Sequence, residues 1–395
     1  MIRYLFSTLF ALFLFSTSHA EVNVKNLRNS RVYSKVLKEY REMRVLLPNE
    51  YDNTYYKYPT IYLLDAETNF DMGIEVLSFL MDNHFIPPHI VVGLPNTDRF
   101  RDMTPVDTVM NKNIYRTRGG ADQFIKALEV DIFPFLNENF RMNSQRLLIG
   151  HSYSGLFVSY AFYFRTDLFD KYMAFSPILW WNNKAIVHDI DTFLENNSSI
   201  RKQLFISFAK EASEMLKSCK SLISSLKINA PSDLKWKYEW MPDESHYSLY
   251  RKSLMKGMEF MFLDYKYPDV QVLVDEGAGV AQSYQKNILL TYGRNEKLPY
   301  SLLESVCLQL KEAKRYDEAM NFLKFTVSSY PNRAESFFYV GEIYENSNQL
   351  TEALKFYKIA HEKDTDRWEY ENKCLEMQKL LTDIEKNTQT LTNLE

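Results

Sequence analysis

The sequence predicts an α/β chain, with a largely parallel sheet covered by helices on both faces, followed by an all-α region of paired helices. Three observations carry this expectation. Short apolar runs alternate with helical stretches between Arg31 and Leu263, the pattern of strands joined by crossover helices. Within that alternation, "LLIGHSYSGLF" passes from a strand through a serine flanked by small residues into another apolar run. Beyond it, "RYDEAMNFLKFTVSSYP" at Arg315 is echoed 34 residues later by "QLTEALKFYKIAHEKDT" at Gln349.

In chain order, residues 1–20 read as a secretory leader. Arg3 gives the basic start, Leu5 to Phe15 is almost wholly apolar, and Ser18 and Ala20 are the small residues of a cleavage site. Cleavage would leave Glu21 first and no stable membrane span, so the expected setting is secreted and periplasmic. Residues 21–265 form the α/β domain. Its strands are expected in "SKVLKEYREMRVLLP", read as a hairpin pair, then in "TIYLLD", "HIVVGL", "RLLIG", "KYMAFS", "QLFISF" and "LKWKYEWM". Between them, "GGADQFIKALEVDIFPFLNENF" and "SGLFVSYAFYF" read as helices. A hairpin opening followed by parallel strands gives an open sheet with right-handed connections.

Residues 266–298 read as a helical linker in which "AQSYQKNILLTYGR" joins the domains, and 299–383 as tetratricopeptide-like repeats. The 34-residue offset pairs Ala319 with Ala353, Phe322 with Phe356 and Cys307 with Gly341. Small residues fall where paired helices approach, and large ones fill the gaps. "DRWEYENKCLEMQKLL" is expected to cap the far end, and residues 384–395 to form a polar, frayed tail. Such an array can hold a protein partner or simply pack on the main domain.

Bulk composition bounds the function. A chain of 395 residues with 46% hydrophobic content is an ordinary globular protein, and its net charge of −4 offers no footprint for nucleic acid. The three cysteines are widely spaced and fit neither a disulfide framework nor a paired-cysteine metal site, so buried thiols are expected.

A serine hydroxyl is a poor nucleophile until a base takes its proton and the backbone holds its oxygen clear. A sharp strand-to-helix turn does the second job for Ser152, and it requires small neighbours two positions away, here Gly150 and Ser154. The turn also sets the Tyr153 N–H at a helix N-terminus, where it can stabilise an oxyanion; the second donor is expected after "IYLLD", from Glu67 or Ala66. The base must follow the serine in the chain. His84 and His89 precede it, His151 is expected to point away from its neighbour, and His361 lies in the repeats. Of His188 and His246, His246 follows the last strand, where a loop can carry an imidazole over the turn. The acid is expected after "QLFISF", as Glu211 or Glu214, with Asp243 and Glu244 as alternatives closer to the base.

With these residues in place, residues 34–263 resemble the putative-esterase branch of the α/β-hydrolases, which includes siderophore esterases and mycolyltransferases. The likeness rests on "SKVLKEYREMRVLLPNEY", "YPTIYLLDAETNF", "IVVGLPNTDRFRDMTP", "RLLIGHSYSGLF", "AFSPILWW" and "DESHYSLY". It implies Ser152 as nucleophile, Glu211 as acid, His246 as base, and Glu67 and Tyr153 as oxyanion donors. Arg99, Asp102 and Trp180 fall on loops at the same edge and are expected either to line the substrate pocket or to serve structure. Two departures stand out: Asp65-Ala66 where the family has Asp-Gly, and Ser154-Gly155 where it has Gly-Gly. Both are expected to add a side chain beside the oxyanion hole. The resulting expectation is a secreted serine esterase without cofactor or metal, acting through an acyl-enzyme on a small-molecule ester of siderophore type. An acyltransferase and a non-catalytic periplasmic scaffold are the alternatives.

Overall fold

The computed structural model describes residues 26–109 and 116–392. The leader read in residues 1–20 lies outside them. The chain divides into two compact units, residues 1–264 and 265–395.

The first unit is built on one eight-stranded sheet in the order β1-β2-β4-β3-β5-β6-β7-β8. β1 (Leu27–Ser34), β2 (Glu39–Leu46) and β4 (Ile90–Leu94) pair antiparallel, and β3 (Tyr58–Leu64), β5 (Met142–His151), β6 (Lys171–Phe175), β7 (Gln203–Ala209) and β8 (Lys235–Met241) continue the sheet in parallel from β4. All residues of β3 and β4 are buried, because helices cover both faces of the sheet there. The first strand lies N-terminal to the hairpin that the sequence suggested. Edge strand β1 reads LRNSRVYS and is mostly solvent-facing, so it carries little of the apolar signal that marks a strand.

Helices α1 (Ala66–Asp82), α2 (Arg99–Met103), α3 (Ala121–Ala127), α4 (Phe133–Asn139), α5 (Tyr153–Phe164), α6 (Trp181–Asn196), α7 (Ser213–Asn229) and α8 (Leu249–Met261) fill the connections. The single run expected at 119–140 is α3 and α4 joined through a π turn, Leu128–Ile132. Pro134 opens α4 and cannot donate to the preceding turn, which the wider π turn accommodates. Parallel strands with crossover helices bring the loops after β3, β4, β5, β6, β7 and β8 to one edge, where sites of such sheets form.

The second unit is helical. α9 (Val270–Glu276) and α10 (Ala278–Tyr292) meet at Gly277, whose φ of 83° breaks the helix. Two helix pairs follow, α11 (Tyr300–Glu312) with α12 (Tyr316–Ser329) and α13 (Ala334–Asn346) with α14 (Leu350–Lys363); corresponding helices begin 34 residues apart, as the sequence echo requires. Ala319 and Ala353 are fully buried, and a side chain on Gly341 would strike the Tyr357 ring. α15 (Trp368–Thr392) packs Tyr370, Cys374 and Met377 onto the second pair. It also runs through the residues expected to fray, since nothing from Asp383 to Thr392 is a glycine or proline that would stop it. All three cysteines are free and buried. No helix among the described residues is long and apolar enough to cross a membrane.

Candidate active site

The turn between β5 and α5 holds Ser152 at φ 64° and ψ −116°, a backbone conformation that costs a non-glycine residue about 1–3 kcal/mol. Its neighbours make the turn sterically feasible. A side chain on Gly150 would collide with the Ser154 carbonyl, and one on Gly155 would press on the Phe175 carbonyl and Pro177. The surrounding backbone locks it: the Ser152 N–H donates to Phe175 O at 2.9 Å, and Ser152 O accepts from Leu156 N at 2.9 Å and Ile178 N at 3.2 Å.

His246 reaches this serine from the loop between β8 and α8. Its Nε2 lies 3.0 Å from Ser152 Oγ, and its Nδ1 lies 3.2 Å from Glu211 Oε2 on the loop after β7. A carboxylate accepts, so Nδ1 carries the proton and Nε2 is left to accept from the serine hydroxyl. Glu211 accepts on its other oxygen from Ser176 Oγ and from the Ala209 N–H at 3.4 Å. Burial alone would push the Glu211 carboxyl up, but the hydrogen bonds from His246 and Ser176 outweigh it and hold the group below its ordinary value. The Glu211 side chain is only 3% exposed while that of His246 is 23% exposed, so the acid is hidden and the imidazole accessible.

The first turns of α1 and α5 frame the serine. Glu67 lies in the first turn of α1, and Tyr153 opens α5. Helix starts present N–H groups that favour negative charge. The Glu67 carboxylate is tied to Asn96, accepting from its N–H at 3.1 Å and from Nδ2 at 2.6 Å. This arrangement, a hydroxyl, an imidazole and a buried carboxylate in series, can deliver an activated oxygen nucleophile. Among the described residues no His, Cys, Asp and Glu cluster is placed to hold a metal ion.

Residues 34–216 match the family described as putative esterase. The protein is thus a carboxylic ester hydrolase. A relative in Bacillus subtilis, the ferri-bacillibactin esterase BesA, is 26% identical over 227 residues, covering 51% of this chain and 78% of that one. The crystal structure of an IroE-like serine hydrolase from Shewanella oneidensis superposes with a TM-score of 0.63 at 25% identity, covering 76% of this chain and 98% of that one. An uncharacterised protein from Capnocytophaga ochracea shares the fold at a TM-score of 0.69 and 14% identity, covering 89% of this chain and 99% of that one. That share is larger than the first unit alone supplies.

In this esterase the other residues singled out from the sequence separate. Glu214 is exposed and pairs with Lys217 at 2.9 Å, Asp243 is exposed, and Glu244 bonds Ser248 and Lys252, so none of them orients His246. Asp102 lines no pocket: it is fully buried between Arg41 at 2.6 Å and Arg101 at 2.7 Å, two cations that satisfy its charge inside the fold. Arg99 holds Asp65 with two hydrogen bonds, 2.8 and 2.7 Å, and stays partly exposed. Trp180 packs half-buried on the core at the end of the loop after β6.

The two family departures do not crowd the serine as expected. Ser154 is fully buried and turns inward, donating to Asp65 and accepting from the His151 N–H at 3.1 Å. Ala66 is buried, its methyl directed at Gly93 of β4. Burial would raise the Asp65 carboxyl, yet Arg99, Ser154 and Asn96 together hold it below the ordinary value. Sequence reasoning passed over Ser176, and it weighed His151 only as a base. Ser176 ends the "KYMAFS" strand at the same sheet edge, so the rule that located the acid could also have found its partner. The His151 Nε2 lies 2.6 Å from the His246 carbonyl oxygen.

Proposed function

We propose that Ser152, His246 and Glu211 hydrolyse an ester through an acyl-enzyme. The observation that carries this is the unbroken hydrogen-bond series from the Ser152 hydroxyl through His246 to Glu211, drawn from three separate strand ends. His246 Nε2 takes the serine proton as Oγ attacks the ester carbonyl, and Glu211 stabilises the imidazolium that forms. The negative charge on the carbonyl oxygen falls to the backbone N–H groups of Glu67 and Tyr153. The imidazolium returns the proton to the departing alkoxide, releasing an alcohol and leaving the acyl group on Ser152. Water, deprotonated by the same imidazole, then attacks the acyl-enzyme; the acid leaves and the serine is restored.

The substrate we assign is a siderophore-type ester. The Bacillus subtilis relative is named for ferri-bacillibactin, which supports that class. Arg99 and Trp180, partly exposed at the same edge, are the side chains we assign to its binding. The leader sequence supports export, with Glu21 as the first mature residue.

A fluorophosphonate probe tests the chemistry: the intact protein is labelled, and Ser152→Ala abolishes labelling. A well-folded wild type that takes no label overturns the reading. A trilactone siderophore assayed beside p-nitrophenyl esters of increasing length tests the substrate, and faster turnover of the simple esters would refute it. N-terminal sequencing of the protein from a periplasmic fraction tests the export.

A further inference from the structure

We propose that His151, the residue before the nucleophile, is a positioning residue for His246, its Nε2–H gripping the backbone carbonyl of His246 so that the base loop stays seated over Ser152. The inference rests on the reading of Ser152 and His246 as nucleophile and base. Three observations converge on it. His151 Nε2 lies 2.6 Å from His246 O, and because a carbonyl can only accept, Nε2 must be the protonated nitrogen. The two imidazoles pack at 4.6 Å between centroids, inclined by 41°. His151 is itself fixed: it is only 8% exposed, its N–H donates to Ser154 Oγ at 3.1 Å, and its carbonyl accepts from Arg99 at 3.4 Å.

The loop has need of such an anchor. Asp243, Ser245, Tyr247 and Ser248 are exposed, and Tyr247 is 84% exposed. The loop's own bonds are local, from Ser245 N to Ser248 Oγ at 2.9 Å and from Ser248 Oγ to Glu244 at 2.7 Å. Toward the sheet edge His246 makes three bonds: to Ser152, to Glu211 and to His151. The first of these breaks in every turnover, when the proton leaves the serine and the ring must serve the departing alkoxide. The bond to His151 uses backbone on the His246 side and is untouched by that proton traffic. The charged and titratable groups around His151 are His246, Asp65 and Arg99, with the Tyr250 ring at its edge. Burial, then the nearness of His246, pushes the His151 imidazole down to about 4, so it stays neutral beside a base that must become a cation.

The test compares wild type with H151Q, H151N and H151F by fluorophosphonate labelling rate, kcat and KM on a p-nitrophenyl ester, and thermal unfolding. A glutamine amide reaches about as far as Nε2, an asparagine amide falls short, and phenylalanine keeps the ring without the donor. H151Q is expected within about threefold of wild type, while H151N and H151F lose about 10- to 100-fold in kcat and labelling rate with KM little changed. Wild-type rates in H151F, or parallel losses of activity and Tm in all three variants, overturn the inference. If H151F does not fold, the H151Q to H151N ratio decides, and a ratio near one refutes it. An unlabelled wild type sinks the nucleophile assignment and this inference with it, whereas a labelled wild type with equally labelled H151F sinks only the inference.

Discussion

At the end of β5, Gly150 and Gly155 let the chain turn so sharply that Ser152 is held at φ 64°, whereas in the helical unit Ala319, Ala353 and Gly341 let regular helices close on one another. In the turn, a missing side chain makes room for strained backbone. In the helices it makes room for a neighbouring ring, Tyr357, on backbone that is not strained. The same kind of residue therefore serves chemistry in one place and packing in the other, and substitutions there should fail in different ways.

The largest contrast is expected at the serine. Ser152→Ala should lower ester turnover by about 10⁴-fold or more while leaving unfolding nearly unchanged, read by kcat/KM and by calorimetry. Next, Gly150→Ala drives a methyl into the Ser154 carbonyl and should cost about 10²-fold in kcat, because the shifted turn misplaces the hydroxyl by a fraction of an ångström. Were Gly150→Ala fully active, the steric account of the turn would be wrong. Gly341→Val should behave in the opposite sense: about 1–3 kcal/mol of stability lost by overpacking against Tyr357, with the specific activity of folded protein unchanged.

Acid sharpens the comparison further. His151 is held neutral down to about 4 against an ordinary 6.5, so between those values the unfolded chain binds a proton that the folded one does not. Stability therefore falls as pH falls through that window, by at most about 1.4 kcal/mol per pH unit. Glu211, held below its ordinary 4.5, adds its own loss only as pH drops below that value. Urea unfolding from pH 7 to pH 4.5 should show the slope in wild type and a flatter line in H151Q. The smallest effect is expected for Ser152→Gly, which relieves the positive φ: a gain of about 1 kcal/mol in stability alongside dead chemistry.

Much of the site was legible because chain order constrains it. In a parallel sheet every loop that follows a strand emerges at one edge, so a serine after "RLLIG", a glutamate after "QLFISF" and a histidine after "LKWKYEWM" were bound to be neighbours. Whether Asp102 lines a pocket or serves structure stayed open in the sequence, for a reason sequence does not expose. Its partner Arg41 lies 61 residues away, on β2, and only the antiparallel pairing of β2 with β4 brings it alongside. Ser154 looked like an obstruction because its size was visible and its direction was not; the hydrogen bond to Asp65, 89 residues away, sets that direction. The tail after Asp383 looked like loose polar chain, yet a helix anchored at Tyr370, Cys374 and Met377 carries on as far as Thr392.

The sequence by itself determined the order of the main strands and helices, the 34-residue helical period and the serine and histidine that meet, and it narrowed the acid to the loop after "QLFISF". Each of these is written in local pattern, in apolar period or in position relative to a strand end. Only the tertiary structure decided which way side chains turn and which distant charges meet: that Asp102 is buried between arginines, that Ser176 braces Glu211, and that His151 grips the loop of His246. Those choices depend on contacts between segments tens of residues apart, where pairing of strands, not neighbouring sequence, sets the geometry.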